Sequence, residues 1–436
     1  MPIRFNLYDI AYYLGVGVAS PYWLIKSSAR TKVLRAFRER MGHVPARADS
    51  SRPAVLIHAV SLGEINATRA LVDMLRRRRD DLHIIISTTT DTGFARGQQL
   101  YGANPNVTLI RYPLDFSPAI HRVLDALRPG VVVLMELELW PNFVRACKQR
   151  GIAVILANGR LTEESFGRYL LVRPIVAAML RRVDRLCVQD DLYGQRFLRL
   201  GARPDQVTVI GTMKFDTATI AERVEGDEQL AREVGLRPRD EPIWVCGSTG
   251  PGEEEILLRV YQSLREKHSS LRLVLVPRKP ERFDDVAQLI ESQGFALTRR
   301  SKPETAPEDS VVLGDTMGEL QKIYSLASVV FVGRSLVDLG PRQHGSDMIE
   351  PCALGKATLI GPFTGNFADV VRSFKAGNSI VEVPDEATLR ATLSALLRNP
   401  DEARALGARA REVVRAQKGA TERHADVVLA ALSKRT

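Results

Sequence analysis

Two doubly wound α/β domains in tandem, with strand ends lining a shared cleft and an N-terminal membrane-associated helix in front, are the fold class this sequence predicts. Three observations predict it. Short apolar runs alternate with amphipathic stretches, as strands and helices do in a parallel sheet covered on both faces. That rhythm runs twice, interrupted by a polar, charged stretch over residues 216–242. The length, 436 residues, suits two domains better than one compact core.

The chain starts with LYDIAYYLGVGVASPYWLI at residues 7–25, which holds one charge, Asp9, and the interface-favouring Tyr12, Tyr13, Tyr22 and Trp23. Residues 1–26 read as an anchor helix. The basic cluster Lys26, Arg30, Lys32, Arg35, Arg38 and Arg40 that follows suits acidic headgroups on the cytoplasmic side of a membrane. Asp9 and Pro21 weaken a clean span, so both spanning and lying in the interface stay open.

Residues 27–215 form the expected first domain, with strands in AVLIHAV (54–60), LHIIISTTT (82–90), VTLIRYPL (107–114), GVVVLME (130–136), IAVILANGR, RLCVQ and VTVIG (207–211). Residues 216–242, containing Gly226, Gly235, Pro238 and Pro242, read as a linker. The rhythm restarts at IWVCGS (243–248) and continues through LRLVLVPR, SVVFVG, ATLIGP and SIVEVP, so residues 243–436 form the second domain. Its last segment, residues 401–434, is helical and predicted to pack back across the cleft.

Composition narrows the function. Lys and Arg number 61 against 51 Asp and Glu, a formal +10 that favours anionic partners. No basic low-complexity tail, zinc-finger spacing or aromatic-basic signature accompanies it, which argues against nucleic acid. Cys147, Cys187, Cys246 and Cys352 lie far apart without CxxC spacing, as buried thiols in a reducing compartment would.

The chemistry-bearing motifs sit at predicted strand ends, where ligands bind in doubly wound sheets. HAVSLGEINA (58–67) places Glu64 in a Gly-containing turn opening a helix, a position for a general base or simply a favourable helix start. MELELWPN (135–142) supplies Glu136 and Glu138, one suited to catalysis or to orienting an acceptor and the other to structure. GSTGPGEEE (247–255) follows a strand and opens a helix, so amides of Ser248, Thr249 and Gly250 suit a phosphate. Glu253 and Glu254 stand where a Walker A loop needs Lys and Ser or Thr, and no dinucleotide GxGxxG follows the expected strands, which excludes those two chemistries. Lys214 in GTMKFD and Arg278 in VPRKPERF suit a nucleotide phosphate. Glu350 in GSDMIEPCALGK suits a ribose diol or a helix start before Pro351.

Taken in order, HAVSLGE, TTTDTG (88–93), YPLDFSPA, LMELELWPN, GTMKFD, GSTGPGEEE, PRKPER and IEPCALG resemble the transferases of 3-deoxy-D-manno-octulosonic acid (Kdo) in lipopolysaccharide synthesis, over about residues 7–430. The resemblance implies a GT-B fold, CMP-Kdo as donor, a lipid A precursor as acceptor, no metal or other cofactor, and work at the cytoplasmic face of the bacterial inner membrane. It further implies inversion, with Glu64 as base, Glu136 as a positioning carboxylate, and Lys214, Ser248, Thr249, Gly250, Arg278 and Glu350 on the donor nucleotide. Two departures stand out. The family's Gly-Gly-His-Asn stretch is replaced by GRSLVDLGPRQHGSDMIEP (333–351), and family-typical His positions hold Gly250 and Lys279. A related UDP-sugar transferase and a non-catalytic nucleotide-binding membrane protein are the competing readings.

Overall fold

The computed structural model describes residues 6, 8–10, 12–15, 17, 36–47, 49–303, 307, 309–340 and 343–434. The chain divides into two compact units, residues 1–216 with 419–436, and residues 217–418.

The first unit carries seven parallel strands: β1 (Ala54–His58), β2 (His83–Thr88), β3 (Val107–Arg111), β4 (Val131–Met135), β5 (Ala153–Gly159), β6 (Arg185–Val188) and β7 (Val207–Val209), in the order β3-β2-β1-β4-β5-β6-β7. After β1 the chain builds outward to β3, then returns to place β4 on the other side of β1. That reversal is the topological switch point, beyond whose carboxyl ends such sheets bind ligands. β1 and β4 are buried at every residue, as continuous Val, Ile and Leu runs require when helices cover both faces.

The second unit repeats the plan with β8 (Ile243–Thr249), β9 (Arg272–Pro277), β10 (Leu297–Arg299), β11 (Val311–Leu313), β12 (Val329–Val332), β13 (Ala357–Ile360) and β14 (Val381–Glu382), ordered β10-β11-β9-β8-β12-β13-β14. Its switch point lies between β8 and β12.

Two boundaries differ from the sequence reading. Within residues 216–242, the helix Asp227–Glu233 buries Leu230 and Ala231, and Ser325 Oγ donates to Asp227 at 2.6 Å, so this stretch is built into the second unit. The helix Ala420–Ser433 belongs to the first unit, where it buries Ala425, Val428 and Leu432 among residues of β1, β4 and β5. Asp216 holds its start by accepting from the amides of Gly419 at 2.7 Å and Thr421 at 2.5 Å. Helical periodicity shows that a face is apolar but not which core it joins.

The described part of residues 7–25 packs on the first unit. Asp9 is fully buried and accepts from Asn6 N (3.0 Å), Ser117 N (3.0 Å), Ser117 Oγ (2.8 Å) and Asn142 Nδ2 (2.7 Å). Tyr13 stacks on Phe116 at 4.3 Å. Asp9 thus serves the fold, satisfying donors at the starts of helices Ser117–Leu127 and Pro141–Gln149. Among the described residues no helix is long and apolar enough to cross a membrane. Lys26, Arg30, Lys32 and Arg35 of the basic cluster lie outside the described residues.

Candidate active site

At the first switch point, the turn after β1 and the turn after β4 bring three carboxylates together. Ser61 caps the helix Leu62–Arg78 and Glu64 lies in its first turn. Glu64 Oε2 accepts from Val60 N at 2.9 Å, and Ser61 Oγ donates to Oε1 at 3.0 Å. These bonds fix the side chain's direction in the manner of a capping box.

Burial pushes the Glu64 carboxyl up to about 7, with the charges of Glu136 and Glu138 adding to it and the two hydrogen bonds opposing it. Glu136 follows β4 directly and holds φ +55, a left-handed backbone uncommon outside glycine, with its N–H on Ala157 O at 2.9 Å. Burial and then the Glu136 charge raise Glu138 as well, while Trp140 Nε1 donates to it at 3.2 Å. Glu138, to which the sequence reading assigned no site role, is therefore part of the field that tunes Glu64.

The same strand ends hold residues that sequence reasoning passed over. Burial keeps His58 neutral, its pKa pushed down to about 3, with Nδ1 3.1 Å from Ser87 O and the ring 4.0 Å from Tyr112. The HAVSLGE and YPLDF motifs place both rings in the core beneath the turn that carries Glu64. Asn158 at the end of β5 has φ +54, and its Oδ1 accepts from Met213 N at 3.3 Å. It supports the turn Met213–Thr217, which carries half-buried Lys214. Lys214 thus belongs to the first unit, two residues before its boundary.

The second switch point has a different electrostatic character. Ser248 holds φ +57 at the end of β8, and Arg278 after β9 is exposed and donates its N–H to Thr249 O at 3.0 Å. Glu253 is fully buried, and its carboxylate accepts four amides: Gly250 N (2.8 Å), Arg334 N (2.6 Å), Ser335 N (2.8 Å) and Leu336 N (2.9 Å). The start of the helix Glu253–Arg265 is therefore filled by the protein's own carboxylate, and the Gly250 amide expected to cradle a phosphate is already engaged. Glu254 takes Thr249 Oγ1 at 2.7 Å and both arms of Arg282 at 2.7 and 3.0 Å. Glu350 opens the short helix Ile349–Ala353; burial and Asp347 raise its carboxyl while Arg278 lowers it, which places Glu350 and Arg278 within each other's field.

Among the described residues no group of three or more His, Cys, Asp and Glu is placed to hold a metal ion.

The family model described as 3-Deoxy-D-manno-octulosonic-acid transferase (kdotransferase) matches residues 35–217, the segment carrying Glu64, Glu136 and Lys214. The chain is 34% identical to the 3-deoxy-D-manno-octulosonic acid transferase of Haemophilus influenzae over 379 residues, 86% of each chain. It is 33% identical to that of Bordetella pertussis over 398 residues, 89% of this chain and 90% of that one. The chain belongs to the Kdo transferase family.

This Kdo transferase is accordingly a glycosyltransferase, and its two parallel seven-stranded sheets have GT-B neighbours. It superposes on the crystal structure of MurG from Acinetobacter baumannii with TM-score 0.54 at 13% identity, covering 87% of this chain and 99% of that one, a likeness of fold alone. Its atypical segment is structured among the described residues. His344 Nε2 lies 2.7 Å from Asp338 Oδ1, and its ring lies 5.3 Å from that of Phe363. Gly345 holds φ +80 and donates to Arg334 O at 2.6 Å. A side chain at Gly250 would meet Leu339 Cδ1 at 2.6 Å and Arg334 Cγ at 3.0 Å, so the glycine there accommodates the altered loop.

Proposed function

We propose that this Kdo transferase moves Kdo from CMP-Kdo to a sugar hydroxyl of a lipid A precursor in one inverting displacement. Glu64 is the base. As the acceptor oxygen bonds to the Kdo anomeric carbon, its proton passes to the Glu64 carboxylate, and the bond from that carbon to the phosphate oxygen breaks with its electron pair on CMP. Arg278 offsets the charge gathering on the leaving phosphate, with Ser248 and Thr249 beside it; Glu350 takes the ribose diol. Lys214 is the further cation that the family resemblance puts on the donor nucleotide, and Glu136 positions the acceptor. The chain itself supplies base and cations, so the scheme calls for no metal.

The observation that carries this reading is Glu64, held by two hydrogen bonds at a switch point and brought by burial to about 7, where a carboxylate accepts a proton most effectively near neutral pH. The test is Kdo transfer from CMP-Kdo, generated in situ, to a tetra-acylated lipid A precursor by wild type and Glu64→Gln. Transfer by wild type alone supports donor, acceptor and base together. Equal turnover by the variant removes Glu64 from the mechanism.

The lipid acceptor brings a second part of the reading, contact with the cytoplasmic face of the inner membrane. Two exposed apolar groups support it: Ile10 and Leu14 beside the buried Asp9, and a ridge of Leu170, Leu171, Val172 and Ile175 flanked by exposed Arg168, Arg173 and Arg181. Leu171 is 85% exposed, unusual for leucine on a surface facing only water. Full-length protein should co-sediment with anionic vesicles, and deleting residues 1–26 or introducing Leu171→Glu with Ile175→Glu should each reduce that binding. Undiminished binding in both variants rules out these contacts.

A further inference from the structure

The donor groups considered so far leave Arg334 unused. It follows β12 at the second switch point and holds φ +58, a conformation that strains a non-glycine residue and persists where the surroundings impose it. The surroundings do so at three points. Its N–H is held by Glu253 at 2.6 Å, its C=O accepts from Gly345 N at 2.6 Å, and Gly250 leaves room for its Cγ, which a Cβ at that position would approach to 3.0 Å. Backbone and side-chain root are thus fixed, while the half-buried guanidinium has no hydrogen bond or ion pair among the described residues.

Among the described residues neither Arg278 nor Arg334 forms an ion pair, whereas Arg282, between them in the chain, pairs with Glu254. Desolvation, and then the charge of Arg278, holds Arg334 below the usual guanidinium range, with Glu253 opposing. The nearest buried carboxylate, Glu253, already accepts four amides. Two cations held close together without a carboxylate partner mark a place for an anion.

The proposed donor carries two negative groups, a phosphodiester and, beside the anomeric carbon, the carboxylate of the sugar acid. Both arginines adjoin the turn at Ser248 and Thr249: Arg278 N donates to Thr249 O at 3.0 Å, and a Cβ at Gly333, the residue before Arg334, would come within 2.5 Å of Thr249 Cα and 2.8 Å of Ser248 O. With Arg278 on the phosphate, Arg334 is left for the second negative group. We propose that Arg334 binds the carboxylate of the sugar acid in the donor, making it a specificity-determining residue of this transferase. The inference rests on the proposed use of CMP-Kdo.

The test compares wild type, Arg334→Gly and Arg334→Lys in steady-state transfer from CMP-Kdo and in inhibition by CMP, which has the phosphate but not the sugar acid. Glycine accepts φ +58 freely, so Arg334→Gly should keep its thermal unfolding temperature and isolate the guanidinium. Loss of a charge-assisted contact should raise KM for CMP-Kdo roughly tenfold to a hundredfold with the CMP inhibition constant unchanged, and Lys should recover part of that loss. Gly250→Ala, which pushes on the Arg334 side chain, should reproduce the rise in KM more weakly. An unchanged KM in Arg334→Gly, or equal weakening of CMP and CMP-Kdo, overturns the assignment. Wild-type transfer from CMP-Kdo tests the underlying reading separately, so the two failures are distinguishable.

Discussion

Both switch points gather glutamates at strand-to-helix turns, half-buried at the first and fully buried at the second, and the two sets are prepared for different work. Glu64 receives two hydrogen bonds and has Glu136 and Glu138 as like-charged neighbours, so burial leaves it titrating near 7. Glu253 receives four backbone amides, and Glu254 a hydroxyl and a bidentate arginine. Burial alone does not make a carboxylate a base; the number of donors around it decides whether it is available to a substrate. With Glu253 and Glu254 committed, the second switch point presents Arg278 and Arg334 instead, and its character is anion-binding.

The comparison breaks most directly at Glu64. Glu64→Gln should lower kcat roughly a hundredfold to ten-thousandfold while CMP still protects the protein against thermal unfolding, because a base acts in the transition state and not on donor affinity. Similar turnover in the variant would erase the distinction between the two sites. At the second site, Glu253→Gln should cost stability, about 2–3 kcal/mol, because an amide group brings N–H donors against backbone N–H groups that need an acceptor. Chemical denaturation measures it, and a loss below about 0.5 kcal/mol would deny Glu253 its role in holding the loop.

Smaller effects sharpen the same contrast. Below about pH 7 Glu64 is protonated and cannot accept a proton, so kcat/KM should rise with pH through that value. Removing a like charge by Glu138→Gln should move this rise to lower pH, and an unmoved profile would exclude coupling between the two carboxyls. The smallest effect is on stability. The folded state raises Glu64 from 4.5 to about 7, so its ionisation disfavours folding and stability is lost as pH rises from about 4.5 to 7. Glu64→Gln should therefore match wild type near pH 4 and exceed it at pH 8, on the order of 1–2 kcal/mol given the retained hydrogen bonds. Unfolding temperatures at the two pH values provide the check.

How much was legible follows from which interactions are local. The alternation of apolar runs with helical periodicity yields two parallel sheets because burial on both faces demands continuous Val, Ile and Leu strands. Glu64 is readable for a similar reason: a strand end, a capping Ser61 and a carboxylate three residues later form a local pattern with one spatial outcome. The acidic pair of MELEL shows that a second carboxylate site exists, but its effect on Glu64 depends on β4 lying beside β1, across some 70 residues of chain.

The role of Glu253 was not legible. Its amide partners at 334–336 are 81 to 83 residues away, and from sequence the acidic run after Gly252 serves only to exclude a Walker A loop. Arg334 is hidden for a related reason, since backbone handedness and the fit against Gly250 arise only once β8 and β12 are adjacent. Asp9 shows the limit from the other side: a single charge in an apolar run reads as a flaw in a membrane helix, while in the fold it satisfies the starts of two helices.

The sequence by itself determined the double α/β architecture, the family and the positions of Glu64, Glu136 and Arg278 at strand ends, because periodicity and turn chemistry act within a few residues. Only the tertiary structure decided where the units divide, which core the last helix joins, which glutamates are satisfied and which arginines are left to bind. Those outcomes depend on desolvation and on hydrogen-bond partners that come from distant parts of the chain.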